Sequence, residues 1–432
     1  MRKIVAGFIA LTLVLWGINL YVNPVDMNVR SVVHEVFYIN GVLAWGFMAM
    51  AVIIAARPAW LEAVTGTPLD ELYRWHRTIG IWAAVLTAVH FFTKTLMAPV
   101  TAMMTLAPAV KPAVNPDAVG FEAFWAWLRG ASNLAAEWAT YLALALFVIS
   151  FISRLRYNKW LTTHRLFSIV FLVVAVHAIR LMDPADYTTP FGLLNIAITI
   201  AGSWYALVLL VRGAGAQKTV RASISGVETR SGLTFITVKP ERALEVKPGE
   251  FAFLRTAGHE KHPFSVAAVN DDGTISFAVK GLGDYTGRIV PQLKAGETVF
   301  VEGPWGHFVP DYSPRTQLWL AGGVGIAPFC AWLQDAARAH SRGDIRLVWC
   351  IKSRESEPML PRVETLARNA GVRLDIYESK KARLNVRDLF AAYVPEVLAL
   401  CAGGALAESV SAAYVHAGGE AGNIRKEYFN WR

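Results

Sequence analysis

Four histidines are spaced so that they could bind two metal ions inside an apolar part of the chain. His76 and His90 are fourteen residues apart, and His164 and His177 are thirteen residues apart. At about 1.5 Å of rise per helical residue, each pair would span about 20 Å. If the two helices run in the same direction, His76 lies level with His164, and His90 lies level with His177. Each cross-helix pair could then clamp one haem iron from both sides.

The two spacings differ in how well they fit one helix face. A lone histidine in an apolar helix can equally be hydrogen-bonded across a bundle, so the prediction depends on both pairs occurring together. A fourteen-residue step returns to nearly the same face of an ideal helix, whereas a thirteen-residue step misses it by about 140°. We therefore expect the helix with His164 and His177 to be rotated, bulged or tilted. A further histidine, His34, stands alone, and we expect it to be a partly solvated residue at the membrane interface.

The elements that would position these histidines are membrane-spanning helices. The sequence is 54% hydrophobic and 17% charged, which is too apolar for a purely soluble protein. Its first half contains six apolar segments of the roughly 20 residues that a span requires. They cover about residues 4–22, 34–56, 75–98, 134–153, 160–180 and 191–212.

The distribution of basic residues predicts the orientation of these spans in the lipid bilayer. Lys and Arg are more numerous at the helix ends that lie on the same side as the N-terminus. We therefore expect six spans in the plasma membrane with both termini in the cytoplasm. The formal charge of +9 is largely a consequence of this membrane topology and does not call for a nucleic-acid partner. We expect the aromatic part of the outer connection, 99–133, to lie along the outer membrane surface.

The second half of the sequence has the patterns of a soluble two-domain module. Residues 218–302 alternate in short β-type runs separated by turns, which predicts a small antiparallel barrel. From 315 onward strands alternate with helices, which favours a parallel sheet with crossover helices. The three cysteines, Cys330, Cys350 and Cys401, have no metal-ligand spacing, and we expect free thiols.

Four short motifs follow one another in this half. "KHPFSVAAV" covers 261–269, "VKGLGDYTGRIV" covers 279–290, "EGPWGHF" covers 302–308 and "LAGGVGIAPF" covers 320–329. The last is a glycine-rich turn after a strand and before a helix, a setting in which backbone amides and a helix N-terminus hold a pyrophosphate.

Together with the histidine pairs, these motifs resemble the ferric reductase and NADPH oxidase superfamily. The resemblance implies a six-helix transmembrane haem-binding bundle fused to a ferredoxin-NADP reductase-like module. That module consists of an antiparallel β-barrel FAD domain and an α/β parallel-sheet nucleotide domain. The corresponding boundaries are 1–213 for the di-haem domain, 214–308 for the FAD barrel and 309–432 for the NADPH domain.

The resemblance also implies the residues that bind FAD. The motif that contacts FAD corresponds to His262, Pro263, Phe264 and Ser265, with Ser265 expected near the flavin ring. Gly283 and Thr286 are expected on the side of the FAD phosphates. In the family an aromatic of the C-terminal segment covers the flavin, and Phe429 is the expected residue, with Tyr428 or Trp431 as alternatives.

For NADPH, the family's glycine-rich motif corresponds to Gly322, Gly323, Gly325 and Pro328. A later Cys-Gly-Pro motif is represented by "CAGGALAE", in which Cys401 and Gly403 keep the general form but the family's glycine and proline are displaced.

The residue that follows the second strand of the nucleotide domain bears on the choice of coenzyme. "KSRES", directly after Ile351, supplies Arg354, which could recognise the 2'-phosphate of NADPH through its planar guanidinium. The alternative is a solvated loop charge. We favour NADPH over NADH.

The function that the resemblance implies is electron transfer from cytosolic NADPH through FAD and two b-type haems to an acceptor on the outer face. O2, giving superoxide, and a ferric chelate or other metal are both open as acceptors, with preference for O2. A transporter or channel with a flavin regulatory domain is a less favoured alternative. Superoxide-forming relatives are expected to have a histidine one turn after the outer ligand, where this chain has Lys94, a candidate for attracting the acceptor. No obligate protein partner is evident.

Overall fold

The computed structural model describes residues 1–25, 28–103, 119–152, 157–313, 315–339 and 344–427. The expected flavin-covering residue Phe429 and its alternatives, Tyr428 and Trp431, lie outside this part of the chain. The described residues form two compact units. One comprises Met1–Thr67 with Glu71–Ala216, and the other comprises Pro68–Asp70 with Gln217–Arg432.

The first unit is helical. Its α-helices are α1 (Arg2–Val22), α2 (Val29–Ala56), α3 (Leu61–Thr65), α4 (Leu69–Met103), α5 (Phe121–Ser150), α6 (Tyr157–Arg180) and α7 (Pro190–Val211), with a 3-10 turn at Pro184–Thr188. Within the described residues, five helices are long and apolar enough to cross a membrane. These are Arg2–Val22, Ser31–Ala56, Phe121–Ser150, Lys159–Arg180 and Pro190–Val211.

The remaining predicted span, 75–98, lies within α4. This helix has 35 residues and begins with a charged turn that includes Asp70, Glu71 and Arg74. It is not among the five apolar helices, so a sixth span stays a prediction.

The helices α2, α6 and α7 pack around one aromatic pair. The Trp45 ring of α2 stacks on the Phe171 ring of α6 with centroids 4.1 Å apart. The Trp45 indole N–H donates to Thr199 Oγ1 of α7 at 2.9 Å. A Cβ at Gly202 of α7 would lie 2.2 Å from Phe171 Cζ, so only glycine lets this ring fit. Close packing here fixes α6, which carries His164, against α2.

The start of α5 differs from the sequence-based expectation. The aromatic stretch that begins at Phe121 is part of the same continuous helix as the following span, rather than a separate surface segment. No proline interrupts the helix between 121 and 150, so helical hydrogen bonding continues through the stretch. Phe121, Phe124 and Trp127 are exposed, in the manner of an aromatic belt at a membrane interface.

The second unit begins with a closed antiparallel barrel, as the sequence predicts. Its strands are β1 (Thr219–Arg230), β2 (Leu233–Pro240), β3 (Phe251–Thr256), β4 (His262–Val269), β5 (Ile275–Lys280) and β6 (Thr298–Trp305), in the order β1-β2-β5-β4-β3-β6. Alternate residues point into the barrel, and Ile236, Val266, Phe277 and Val299 fill its core without solvent exposure.

A five-stranded parallel sheet follows. Its strands are β7 (Gln317–Gly322), β8 (Ile345–Ile351), β9 (Arg373–Glu378), β10 (Val397–Cys401) and β11 (Ile424–Lys426), in the order β11-β10-β7-β8-β9. Helices α8 (Ala327–Ala339), α9 (Leu360–Asn369) and α10 (Gly404–His416) connect them. The first four strands confirm the sequence-based prediction. The three-residue β11 has no recognisable pattern and exists through its parallel pairing with β10, as in Leu398 opposite Ile424.

Candidate functional site

The structure brings the inner histidines of the two predicted pairs together. The rings of His76 on α4 and His164 on α6 have centroids 5.9 Å apart. His76 Nδ1 lies 3.0 Å from the carbonyl oxygen of Ala51, so Nδ1 carries the proton and donates it. The His76 imidazole therefore has its free lone pair on Nε2.

The same reasoning fixes the tautomer of His164. Its Nδ1 lies 3.2 Å from the hydroxyl of Ser150, the last residue of α5. The Ser150 hydroxyl donates its one proton to the carbonyl of Leu146 at 2.8 Å, so it accepts from His164 Nδ1. Both inner rings thus hold a proton on Nδ1 and keep Nε2 for a metal, which is the usual arrangement of ligating histidines.

The separation of the two rings fits one metal ion between them. An imidazole nitrogen binds a metal at about 2 Å, which places the centroids of two clamping rings about 6 Å apart. Trp160 stacks on the His164 ring with centroids 4.8 Å apart, and Phe167 meets it edge-on at 5.2 Å. Two imidazoles within aromatic walls are a donor set that suits a haem iron.

The outer histidine of α4 is held in the same way. His90 Nδ1 lies 3.2 Å from the carbonyl oxygen of Phe37, and the His90 ring stacks on the Phe37 ring at 3.8 Å. A Cβ at Gly41 would lie 2.7 Å from His90 Cε1, so glycine is required for the ring to approach α2. The sequence analysis did not single out Gly41 or Ser150, because both act through tertiary contacts.

The partner predicted for His90 is His177, which lies half-buried on α6. Between Tyr157 and Arg180 this helix is an unbroken α-helix, so the expected bulge is absent. The pairing of His90 with His177 stays a prediction. Lys94 lies in α4, and its side chain is outside the described part of the structure. His34 is 70% exposed on α2.

In the barrel, the predicted FAD motif lies on β4. The His262 ring stacks on Tyr285 with centroids 4.0 Å apart, and burial lowers the pKa of His262, which keeps the ring neutral. Pro263 lies opposite Phe253 of β3, beyond the part of β4 that pairs with β5, so its missing N–H costs no hydrogen bond on that side. Phe264 packs against the barrel core.

The fourth motif residue belongs to a buried polar cluster. The Ser265 hydroxyl donates to Glu427 Oε2 at 2.9 Å, and the Cys401 thiol reaches the same oxygen at 3.5 Å. Burial raises the pKa of the Glu427 carboxyl to about 8 and that of the Cys401 thiol well above its usual value. The cluster therefore joins a residue expected at FAD to a residue expected at NADPH. Sequence reasoning missed Glu427, whose only signal was an acidic residue just before the C-terminal aromatics.

The two remaining FAD residues shape a loop. The Thr286 hydroxyl accepts the backbone N–H groups of Leu282 and Gly283 at 2.9 and 3.1 Å. These bonds hold a tight turn ahead of the short helix at Tyr285–Ile289. Their role toward FAD phosphates stays a prediction.

The glycine-rich turn joins β7 to α8. Gly322 ends β7, Gly323 has a φ of +54° in the left-handed region, and Pro328 lies in the first turn of α8. A Cβ at Gly325 would lie 2.1 Å from the carbonyl oxygen of Cys401. The turn is therefore a close-packed cradle beside the end of β10, which fits a bound dinucleotide.

The Arg354 side chain is 46% exposed and faces two carboxylates. Its Nη1 lies 3.1 Å from Glu364 Oε1, and its Nε lies 3.7 Å from Glu378 Oε1. The three cysteines are free thiols, as expected.

Comparisons with known proteins agree with this arrangement. A family model described as "Ferric reductase like transmembrane component" matches residues 40–175, and one described as "FAD-binding domain" matches residues 218–309. The chain is 24% identical over 300 residues to Dual oxidase 2 of Rattus norvegicus, covering 64% of this chain and 19% of that protein. It is 26% identical over 207 residues to Respiratory burst oxidase homolog protein F of Arabidopsis thaliana, covering 41% and 22%.

A third relative matches the soluble half. Methane monooxygenase component C of Methylosinus trichosporium is 27% identical over 141 residues, covering 31% of this chain and 42% of that protein. The chain thus spans less than half the length of these three relatives. The matched family models and the apolar helices identify an integral membrane protein. Residues 40–175 are thus similar to the transmembrane component of ferric reductases and residues 218–309 to an FAD-binding domain, and these matches, together with the two oxidase relatives, support the ferric reductase and NADPH oxidase superfamily.

Proposed function

We propose that the protein moves electrons from NADPH, through FAD and two b-type haems, to an acceptor on the outer face of the plasma membrane. His76 and His164 would hold the inner haem iron, and His90 and His177 the outer one. The observation that carries this proposal is the inner pair, whose rings lie 5.9 Å apart and whose Nδ1 atoms both donate elsewhere. Six spans, cytoplasmic termini and domains at 1–213, 214–308 and 309–432 are part of the same proposal.

The protein's own groups have separable tasks. When bound, FAD splits the hydride's electron pair into single electrons and the haems carry them across the membrane. The four histidines would hold the haem irons, two to each iron, and the haems would supply single-electron transfer to the acceptor. The glycine-rich turn would hold NADPH, with Arg354 near its 2'-phosphate.

The buried cluster would serve the junction between the two nucleotides. Because burial raises the pKa of Glu427 to about 8, this carboxyl is mostly protonated at neutral pH. Ser265 and Cys401 keep it in place, and the site therefore carries little charge beside the flavin ring. It can also release or accept a proton at Oε2.

Two acceptors have specific support. The names of the relatives Dual oxidase 2 and Respiratory burst oxidase homolog protein F favour O2 with superoxide as product. The description of the matched transmembrane model, "Ferric reductase like", favours a ferric chelate or another metal as the second candidate. We place O2 first.

One set of assays separates these outcomes. Purified protein loaded with FAD and haem receives NADPH, and cytochrome c reduction is followed with and without superoxide dismutase. We expect dismutase to suppress most of the signal. A dismutase-insensitive signal, together with rapid anaerobic reduction of a ferric chelate, would replace the oxidase assignment with the metal reductase.

A variant tests the electron path itself. His90→Ala should remove the outer haem and stop reduction of the acceptor, while NADPH still bleaches FAD anaerobically. His34→Ala removes an exposed histidine from α2 and serves as the matched control. Unchanged haem content and acceptor reduction in His90→Ala would refute the assignment of this ligand.

A further inference from the structure

We infer that Glu364 and Glu378 set the coenzyme selectivity of this protein by occupying Arg354, so that NADH is accepted alongside NADPH. This inference rests on the proposed nucleotide site. It concerns the end of that site that binds the adenosine ribose, where NADPH carries a 2'-phosphate and NADH a hydroxyl.

The position of the three residues follows from the register of the sheet. Gly322, at the start of the glycine-rich turn, lies opposite Cys350 of β8, and Ile351 of β8 lies opposite Glu378 of β9. The carboxyl ends of β7, β8 and β9 therefore share one edge, where dinucleotides bind in open α/β sheets. Arg354 follows β8 directly, at the place where the ribose of the adenosine is recognised.

The contacts of Arg354 use the groups that a phosphate would need. Arginine recognises phosphate through its fork of guanidinium N–H groups. Here Nη1 faces Glu364 Oε1 at 3.1 Å and Nε faces Glu378 Oε1 at 3.7 Å. The backbone N–H of Arg354 also donates to Glu378 Oε2 at 2.9 Å, which fixes the start of the loop against β9.

Charges of both signs lie around this point, and Glu355 adds a further carboxylate near Glu378 and Lys381. Lys381 Nζ lies 2.7 Å from Glu378 Oε1, so two cations, Arg354 and Lys381, face two carboxylates. Hydrogen bonds from Lys381 and from the Arg354 N–H lower the pKa of the Glu378 carboxyl, which therefore stays ionised at neutral pH. A 2'-phosphate adds a charge of about −1.5 to −2 beside these carboxylates. The 2'-phosphate therefore adds little to the affinity for NADPH, and the site discriminates only weakly against NADH.

Glu364 is the better residue to change. It lies on α9 with its side chain 40% exposed, whereas the side chain of Glu378 is only 8% exposed. Gln has nearly the same helix propensity as Glu, so Glu364→Gln should leave α9 folded. The substitution releases Arg354 Nη1 and removes one negative charge from the site.

The test uses binding of two nucleotide fragments, which does not depend on turnover. The affinity of the purified full-length protein for 2',5'-ADP and for 5'-AMP is measured by calorimetry, because the two differ at the 2'-phosphate. In Glu364→Gln we expect 2',5'-ADP to bind about five- to tenfold more tightly, the scale of one charge interaction near a protein surface. Binding of 5'-AMP should change by less than about twofold on the same reasoning. At 1 M salt, where the Debye length is about 3 Å, the gain should disappear.

Two further variants make the result specific. Glu297→Gln removes the same charge from an exposed barrel turn and should leave both affinities unchanged. In the Glu364→Gln/Arg354→Gln double variant the gain should vanish, because the effect of Glu364 passes through Arg354.

The outcomes separate this inference from the proposed function. If the wild-type protein binds neither fragment, the proposed assignment of the nucleotide-binding site is wrong. If both fragments bind and Glu364→Gln leaves their ratio unchanged, the site stands and the inference fails. A loss of 2',5'-ADP affinity in Glu364→Gln would also overturn it, since Glu364 would then orient Arg354 for the phosphate.

Discussion

The substitution Gly41→Ala tests how α2 positions the outer histidine of α4. A Cβ at this position would lie 2.7 Å from His90 Cε1 and 2.9 Å from His90 Nδ1. Carbon atoms in contact prefer about 3.5–4.0 Å, so the imidazole must move by about 1 Å. The bond from Nδ1 to the carbonyl of Phe37, now 3.2 Å, would then exceed hydrogen-bonding distance.

The size of the effect follows from the role of that bond. Loss of a hydrogen bond that orients a metal-ligating histidine lowers metal affinity by about 10- to 100-fold. This corresponds to about 1.4–2.7 kcal/mol of haem binding energy. Alanine is a better helix former than glycine by about 1 kcal/mol, so α2 itself should not be weakened. The expected result is selective loss of the outer haem with the inner haem retained.

The measurement is haem content per FAD, from the reduced-minus-oxidised spectrum, in protein purified at limiting haem. Acceptor reduction should fall in parallel, while anaerobic bleaching of FAD by NADPH should continue at the wild-type rate. Gly17→Ala on α1 is the matched control, because a Cβ there meets nothing within 4 Å. A Gly41→Ala protein with wild-type haem content and acceptor reduction would refute the placement of His90 against α2.

Three further predictions concern other parts of the site. Because the Glu427 pKa is about 8 in the folded protein and about 4.5 in the unfolded chain, the free energy of unfolding should fall as pH rises from 4.5 through 8. Glu427→Gln should remove this pH dependence, and the variant should melt at a higher temperature than the wild type at pH 8.5. Ser150→Ala deprives His164 Nδ1 of its acceptor and should weaken haem binding at the inner site about 10- to 100-fold in a haem titration. Gly325→Ala places a Cβ 2.1 Å from the Cys401 carbonyl oxygen and should abolish NADPH binding in calorimetry while FAD is retained. Retention of NADPH affinity would contradict the proposal that the glycine-rich turn binds NADPH.

The sequence predicted the fold because its patterns are local. Alternation in 218–302 predicted the barrel, and strand-helix alternation from 315 predicted four of the five sheet strands. The strand β11 has only three residues and depends on β10 for all its sheet hydrogen bonds, so no local pattern could reveal it. The aromatic stretch that begins at Phe121 belongs to α5, which the sequence analysis began only at residue 134, since composition alone does not show where a helix begins.

The candidate site was predictable as residue types but not as contacts. Histidine spacing indicated His76 and His164, yet the carbonyl and hydroxyl that orient their rings come from α2 and α5. Backbone carbonyls occur at every position, so only the packing of the helices selects Ala51. Glu427 is likewise far in sequence from Ser265, and their hydrogen bond exists only once β11 lies beside β10.

The register of α2 against α4 accounts for the orientation of both histidine rings of α4, His76 and His90. His76 bonds to the carbonyl of Ala51 and His90 to that of Phe37, so the acceptors are fourteen residues apart, as the histidines are. Fourteen residues are two heptads, the repeat at which a contact position recurs between gently supercoiled helices. One face of α2 can therefore orient both rings of α4, and a single packing interaction would position both haem sites.

The helix α6 has no such repeat. His164 and His177 are thirteen residues apart, so when His164 faces α4 an ideal helix turns His177 about 140° away. The unbroken helix between Tyr157 and Arg180 offers no bulge to correct this. The predicted outer site would therefore need the tilt or rotation of α6 to bring His177 towards His90. The contact with α2 that holds His90 is therefore the part of the predicted outer site that the structure defines, and Gly41 is the position that tests it.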